Sequence, residues 1–236
     1  MRPGNGEHRV SDRRYAIYAA PEGPLWEAGS HWLGWDAARG AALPQPDIAD
    51  LPRPLAEITE APRKYGLHAT IKPPFRLAEG VSADDLAWAV EALCQRLSPV
   101  PLPGLRLAQI GGFLALVPES GESGLRDLAA RVVESLDPFR ARLSADEIAR
   151  RNPERLTPRQ RSYLDLWGYP YVMEEFHFHI TLTGDLPKPE ADAVSRILGP
   201  WIAPHLPRPY AMDSLCLFAE AEDGRFHLTH RLALAG

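Results

Sequence analysis

The stretches Gly66-Leu67-His68-Ala69-Thr70-Ile71-Lys72 and Phe178-His179-Ile180-Thr181-Leu182-Thr183 decide how this chain folds. In each, apolar residues hold one parity (Leu67, Ala69, Ile71; Phe178, Ile180, Leu182), while His, Thr and then Lys or Thr hold the other. That is the period-two pattern of a strand with one buried face. It puts an imidazole and a hydroxyl on the same face, one pleat apart. Set next to each other, two such strands would bring two histidines and two threonines to one cleft.

Working outward, the chain repeats itself. After the first motif, stopped by Pro73-Pro74, Ser82 with Asp85 starts a helix carrying Leu86, Val90, Leu93 and Leu97. Strands over Leu105–Ile110 and Phe113–Val117 follow, joined through Gly111-Gly112. A helix from Ser123 places Leu125, Leu128, Val132 and Leu136 on one stripe. After the second motif the order returns: a helix over Pro189–Ile202, a strand over Met212–Phe218, a turn at Asp223-Gly224 and a last strand over Arg225–Leu234. The second hairpin strand starts about 44 residues after His68 and about 46 after His179. A strand over Tyr15–Ala20 with a helix over Pro24–Trp35 matches Phe113–Val117 with the Ser123 helix, each leading toward a motif. Prolines at 44, 46, 52, 54 and 62 make the connection between Gly40 and Pro62 irregular.

The expected fold is therefore α+β, with two pseudo-symmetric lobes, each a mainly antiparallel sheet with helices outside, around a central cleft. Residues 1–236 form one bilobal domain, with lobes near 14–136 and 176–236 and interleaved elements. The stretch 137–175 has no counterpart in the repeat and reads as an Arg-rich helical insertion. It holds Arg140, Arg142, Arg150, Arg151, Arg155, Arg159 and Arg161, with helical patterns over Ala145–Arg151 and Thr157–Trp167. Two roles stay open for it: a solvated amphipathic insertion packed on one lobe, or a lid whose arginines meet an anionic substrate.

Composition narrows the classes of function. A net charge of -5 argues against bulk attraction to nucleic acid or to an anionic membrane. Met1 to Arg14 reads as a polar, disordered lead without an apolar core, and no apolar run is long enough to span a bilayer, so a cytoplasmic location is expected. Cys94 and Cys216 lack metal-ligand or redox spacing and read as buried core thiols. The positive charge is nearly all arginine, with lysine only at 64, 72 and 188. That makes Lys72, inside a motif, stand out.

Two histidines facing one cleft can act as general base and general acid on opposite sides of a phosphorus atom, each worth roughly 10²–10⁴-fold. Thr70 and Thr181 can donate hydrogen bonds to phosphate oxygens. Lys72, next on the first strand's polar parity, can add charge. Tyr18 either packs in the core, as Tyr15 does, or lines the cleft. This division of labour needs no metal and no cofactor. His177 and His179 lie two apart on one strand face, a chelating spacing, but no evident third ligand accompanies them. A third copy, His227-Leu228-Thr229, occupies a different slot of the repeat and reads as a surface or core-edge histidine; His31 and His205 stand alone. There is no glycine-rich phosphate loop, nucleophile elbow or dinucleotide fingerprint.

Two His-x-Thr strands in duplicated α+β lobes resemble the 2H phosphoesterase superfamily, which includes RNA 2',3'-cyclic phosphodiesterase-type enzymes. More narrowly, Arg14-Tyr15-Ala16-Ile17-Tyr18, Tyr65-Gly66-Leu67-His68-Ala69-Thr70-Ile71-Lys72 and Trp167-Gly168-Tyr169-Pro170-Tyr171-Val172-Met173-Glu174-Glu175-Phe176 resemble bacterial proteins of phosphonate-utilisation operons. The resemblance implies a bilobal fold with a central cleft, His68 and His179 catalytic, and Thr70 and Thr181 on phosphate. It implies hydrolysis or formation of a cyclic phosphodiester on a small phosphorylated sugar or nucleotide, without fixing which compound. Two other roles remain at this stage: a non-catalytic accessory protein that binds such a ligand, and an RNA-end-binding protein, which the acidic charge disfavours. Oligomeric state is not legible.

Overall fold

The computed structural model describes residues 13–236, so the polar lead expected over Met1 to Arg14 falls almost wholly outside the described residues. In chain order the strands are β1 Arg14–Ala19, β2 Trp35–Asp36, β3 Ala41–Ala42, β4 Ala69–Arg76, β5 Val100–Leu102, β6 Leu105–Ile110, β7 Phe113–Pro118, β8 Ile180–Thr181, β9 Tyr210–Met212, β10 Ser214–Glu220 and β11 Phe226–Ala233. The α-helices are α1 Gly23–Leu33, α2 Leu55–Ile58, α3 Glu60–Arg63, α4 Ala83–Cys94, α5 Glu122–Leu136, α6 Ala145–Ala149, α7 Pro158–Trp167 and α8 Lys188–Ile202.

One antiparallel sheet runs through the molecule in the order β11-β10-β1-β4-β8-β7-β6. Its centre is the junction of the two motifs, where Ala69 of β4 faces Ile180 of β8. About that junction β4 matches β8, β1 matches β7 and β10 matches β6, with β11 added at one edge. The two pseudo-symmetric halves thus share a single sheet, and each takes its third strand from the other half of the chain: β6 follows the first motif yet joins the second motif's side, and β10 does the reverse. Even the small strands obey the repeat, since β5 pairs with β9.

Period-two alternation in β1 assigns the two faces. Tyr15, Ile17 and Ala19 join the main core, with Leu67, Ala69, Ile71, Ile180 and Leu116, under Leu25 and Trp32 of α1, Leu86 and Val90 of α4, Leu128 and Val132 of α5 and Val194 and Leu198 of α8. Ala16, Tyr18 and Ala20 face the other way, into a smaller cluster with Cys216, Phe218 and Phe226. The helices therefore blanket one face of the sheet, while the opposite face carries its own smaller buried cluster beside a concavity. Close packing on the covered face has a specific requirement: a Cβ at Gly29 of α1 would lie 2.4 Å from a Leu67 methyl, so the helix reaches the strand leading into the first motif only because it carries no side chain there.

Three boundaries differ from expectation. The first motif strand starts at Ala69 and continues through Pro73 and Pro74 to Arg76. The prolines are tolerated because the ladder with β1 is already irregular there: Ile17 faces Lys72 and Tyr15 faces Phe75. The second motif contributes only Ile180 and Thr181 as a strand. The connection between Gly40 and Pro62 holds α2 and α3 despite its prolines. Elsewhere agreement is close, down to the reciprocal Ser82/Asp85 cap of α4.

Because β8 is short, the far half of β4 has an uncovered edge, and the chain after α5 lies on it. Leu77 bridges Arg140, the Ala141 N–H donates to the Arg76 carbonyl at 2.8 Å, and Arg76 and Glu147 form an ion pair at 2.7 Å. Residues 137–175 are thereby hung beside the concave face. Among the described residues no helix is long and apolar enough to cross a membrane. Cys94 and Cys216 are buried and unpaired, with both thiols pushed up to about 11 by burial.

Candidate active site

A cavity of about 550 Å³ opens on the concave face. His68, Thr70 and Thr181 line it, together with Tyr18, Tyr65, Phe113, Tyr169, Arg14 and residues of the 137–175 stretch. The antiparallel register centred on Ala69 and Ile180 puts His68 across from Thr181 and Thr70 across from His179. Each histidine is then a diagonal neighbour of the other, a relation that separates such residues by roughly 7–8 Å. His179 is not among the residues that line the cavity; its ring lies 5.7 Å from that of Phe113, which is.

Both imidazoles are oriented by the same local device. The Nδ1–H of His68 donates to the Gly66 carbonyl at 2.9 Å, and that of His179 to the His177 carbonyl at 2.8 Å. Each bond runs to the residue two positions back, so the strand entry that precedes each motif sets the tautomer and leaves Nε2 as the basic nitrogen. In the first motif Nε2 lies 3.2 Å from the Thr70 hydroxyl. Gly66, at φ 75°, makes the turn that aims its carbonyl, and a Cβ there would lie 2.8 Å from the Ala37 side chain.

Burial shapes the protonation of the pair. Desolvation lowers His68 to about 4, partly opposed by the Gly66 hydrogen bond and reinforced by His179. Desolvation also lowers His179, opposed by the His177 carbonyl. Both rings are therefore neutral near pH 7 in the free protein, and an anion between them would draw them back toward protonation.

Tyr18 is fully buried by its neighbours yet borders the cavity, its ring stacked on His68 at 3.8 Å between centroids. Burial pushes its hydroxyl well above the ordinary value, with Tyr65 adding to the effect. Both alternatives open for Tyr18 are thus realised at once, since it packs with Phe218 and supports one imidazole.

Lys72 departs from the sequence-based expectation. Tyr18 faces Thr70 while the adjacent Ile17 faces Lys72, so one extra residue, Ile71, is accommodated on β4. This bulge breaks the alternation that would have kept Lys72 on the face of Thr70. Its ammonium instead points to the helix-covered side, donating to the Val133 carbonyl at 3.3 Å and meeting Asp137 at 3.4 Å. Desolvation lowers it to about 8, against the opposing pull of Asp137. It is not part of the cavity.

Several lining residues carried no assigned role in the sequence reading. Tyr65 is 5.9 Å from His68 and stacks on Phe226. Arg14 shares the parity of Tyr18 on β1, a signal legible from spacing, and forms a two-pronged ion pair with Glu220 at 2.7 and 2.6 Å. Arg150 and Arg151 also line the cavity, so the 137–175 stretch does reach it. His227 sits on β11 beside Trp35, with its Nε2 buried. His177 is exposed near Glu122. Among the described residues no three His, Cys, Asp or Glu side chains converge on one point.

The second motif, with little strand of its own, is held from three sides. The Trp32 indole of α1 donates to the Leu182 carbonyl at 2.8 Å, the Leu114 N–H donates to the Thr183 hydroxyl at 2.9 Å, and the Gly184 N–H donates to the Ile58 carbonyl at 2.7 Å.

Comparison with known proteins adds relatives and a family. The chain is 38% identical over 187 residues to ribose 1,5-bisphosphate phosphokinase PhnN of Janthinobacterium sp. (strain Marseille), covering 78% of this chain and 41% of that protein. It is 36% identical over 227 residues to the protein of the same name from Laribacter hongkongensis (strain HLHK9), covering 89% of this chain and 49% of the other. The chain thus spans less than half the length of these relatives. Among solved structures, a phosphoesterase aligns over 95% of this chain and 99% of its own, at 20% identity and a TM-score of 0.44. LigT of E. coli, complexed with 3'-AMP, aligns over 95% and 98%, at 19% identity and a TM-score of 0.45. The model of a family described as protein of unknown function, DUF1045, matches residues 70–227, which is more than half of the chain, begins at Thr70 of the first motif and takes in the whole of the second, and the chain belongs to that family.

Proposed function

We propose that this protein is a phosphoesterase of the two-histidine type, acting without a metal on a cyclic phosphodiester of a small sugar or nucleotide. The observation that carries this proposal is the antiparallel meeting of two His-x-Thr segments at Ala69 and Ile180, with each imidazole held by the carbonyl two residues back. In hydrolysis, water attacks phosphorus and gives its proton to Nε2 of one histidine. The other histidine, protonated, gives a proton to the departing sugar oxygen. One P–O bond forms, one breaks, and the product is a monoester with a freed hydroxyl. Thr70 and Thr181, each across from the other motif's histidine, donate to the non-bridging oxygens. The resting pair is neutral, so the anionic diester itself raises the acid's affinity for its proton and arms the site on binding. The setting we propose is phosphonate metabolism in the cytoplasm, supported by the resemblance of Tyr65–Lys72 and Trp167–Phe176 to proteins of phosphonate operons.

The relatives' name offers a second reading, a sugar-phosphate kinase. None of the three lysines at 64, 72 and 188 follows a glycine, so the chain carries no Gly-Lys-Ser/Thr phosphate loop of that kind. We infer that the kinase activity named there resides in the part of the relatives that this chain does not match.

The deciding experiment is turnover of nucleoside 2',3'-cyclic and ribose 1,2-cyclic phosphates by wild type and His179→Ala with chelator present. Activity that persists with chelator and falls at least about a hundredfold in the variant is expected. Loss of activity on chelation would overturn the metal-independent mechanism. Saturable binding without any turnover would make the protein an accessory binder.

A further inference from the structure

We infer that the cavity contains a second anion subsite at Arg150 and Arg151, so that the substrate is a cyclic phosphodiester bearing a second, remote phosphate. The inference rests on the phosphoesterase reading only for where the first phosphate lies.

Besides Tyr18, Tyr65 and Tyr169, the charged and titratable groups that line the cavity are Arg14, His68, Glu147, Arg150, Arg151 and Asp185. Most are neutralised or turned elsewhere. Arg14 is bound two-pronged by Glu220, and Glu147 by Arg76 at 2.7 Å and by the Ser144 N–H at 2.8 Å. The Asp185 carboxylate lies against Gly112, between β6 and β7, and is the one lining carboxylate without an ion pair among the described residues. Arg150 and Arg151 have no carboxylate within 4 Å among the described residues. The Arg151 guanidinium lies 4.9 Å over the Tyr169 ring, a contact that holds the plane and leaves its edge donors available. A solvated pair at the end of α6 would be favoured by the helix dipole alone. That role, however, does not require a place on the cavity wall or a seat on a half-buried tyrosine.

Position and size complete the case. His68, Thr70 and Thr181 line the cavity from the sheet, whereas the two arginines line it from the insertion; Tyr65 stands 5.9 Å from His68 and Tyr169 lies under Arg151, which offers aromatic rings near both ends for a sugar or base. A cavity of about 550 Å³ suits a whole small molecule and leaves most of its space beyond a single phosphate. Hydrolysis of such a substrate leaves two monoester phosphates on one sugar.

The test compares adenosine 2',3'-cyclic phosphate with the same compound carrying a 5'-phosphate, using wild type and an Arg150→Gln/Arg151→Gln double variant. Wild type is expected to prefer the 5'-phosphorylated compound about tenfold or more in kcat/KM, and the double variant to lose most of that preference. A preference that survives the double substitution, or none in wild type, would overturn the subsite while leaving the phosphoesterase assignment intact. If wild type turns over neither compound, that assignment fails, and titration calorimetry with ribose 1,5-bisphosphate then decides the subsite. About tenfold weaker binding by the double variant supports it, and unchanged affinity overturns it.

Discussion

The two motif segments carry the same three-residue pattern but are held by different means. The first belongs to an eight-residue strand with five paired positions on β1, so a long backbone ladder fixes it in the sheet. The second has two strand residues, and separate bonds do the rest: the Trp32 indole on the Leu182 carbonyl, the Leu114 N–H on the Thr183 hydroxyl, and the backbone N–H groups of Leu182 and Gly184 on the Leu114 and Ile58 carbonyls. What is kept alike on both sides is narrow, namely the hydrogen bond from each histidine's Nδ1 to the carbonyl two residues before it. Symmetry is thus preserved at the two imidazoles and relaxed in the scaffold.

If the two segments serve one reaction, the largest effect comes from the imidazoles. His68→Ala and His179→Ala should each lower turnover of a cyclic phosphate by roughly 10²–10⁴-fold, with thermal unfolding still cooperative. A variant of either that kept more than a tenth of wild-type activity would show that the halves are unequal in chemistry as well as in support.

The difference in scaffolding can be broken by Trp32→Phe. Loss of the indole donor leaves the buried Leu182 carbonyl unpaired and should cost about 1–3 kcal/mol of stability. Hydrogen exchange should quicken around Ile180 and Thr181 more than around Ala69 and Thr70. Equal quickening in both segments would mean that β4 is not independently secured.

Burial sharpens the comparison through pH. The folded-state values of both histidines lie below the usual 6.5, so the unfolded chain binds more protons in acid. Their neutral forms therefore support the fold fully above pH 6.5, and this support is lost as the pH falls from 6.5 toward about 4. For His68 the loss amounts to up to about 3 kcal/mol, so His68→Asn should lose less stability than wild type between pH 7 and 4. Proton NMR should show His68 titrating near 4, and a titration near 6.5 would contradict the burial described here.

The smallest effect is expected at Lys72. Lys72→Met should change kcat/KM by less than about threefold, because the ammonium meets Val133 and Asp137 on the helix-covered side. A hundredfold loss would return Lys72 to the phosphate.

The sequence by itself determined the repeat and the placing of His with Thr on one face in each motif, because alternation and spacing are local properties of a chain. It also determined most helices, down to the Ser82 cap, since caps and apolar stripes act within a few residues. Only the tertiary structure decided three things. Lys72 left the motif face because register against β1 inserts a bulge at Ile71, and register belongs to two strands together. The second motif is a strand for only two residues, and Trp32, Leu114 and Ile58, distant in sequence, hold the residues that follow Thr181. Arg150 and Arg151 reach the cavity because the short β8 leaves an edge of β4 uncovered, onto which the chain near Arg140 pairs and brings α6 over the concave face.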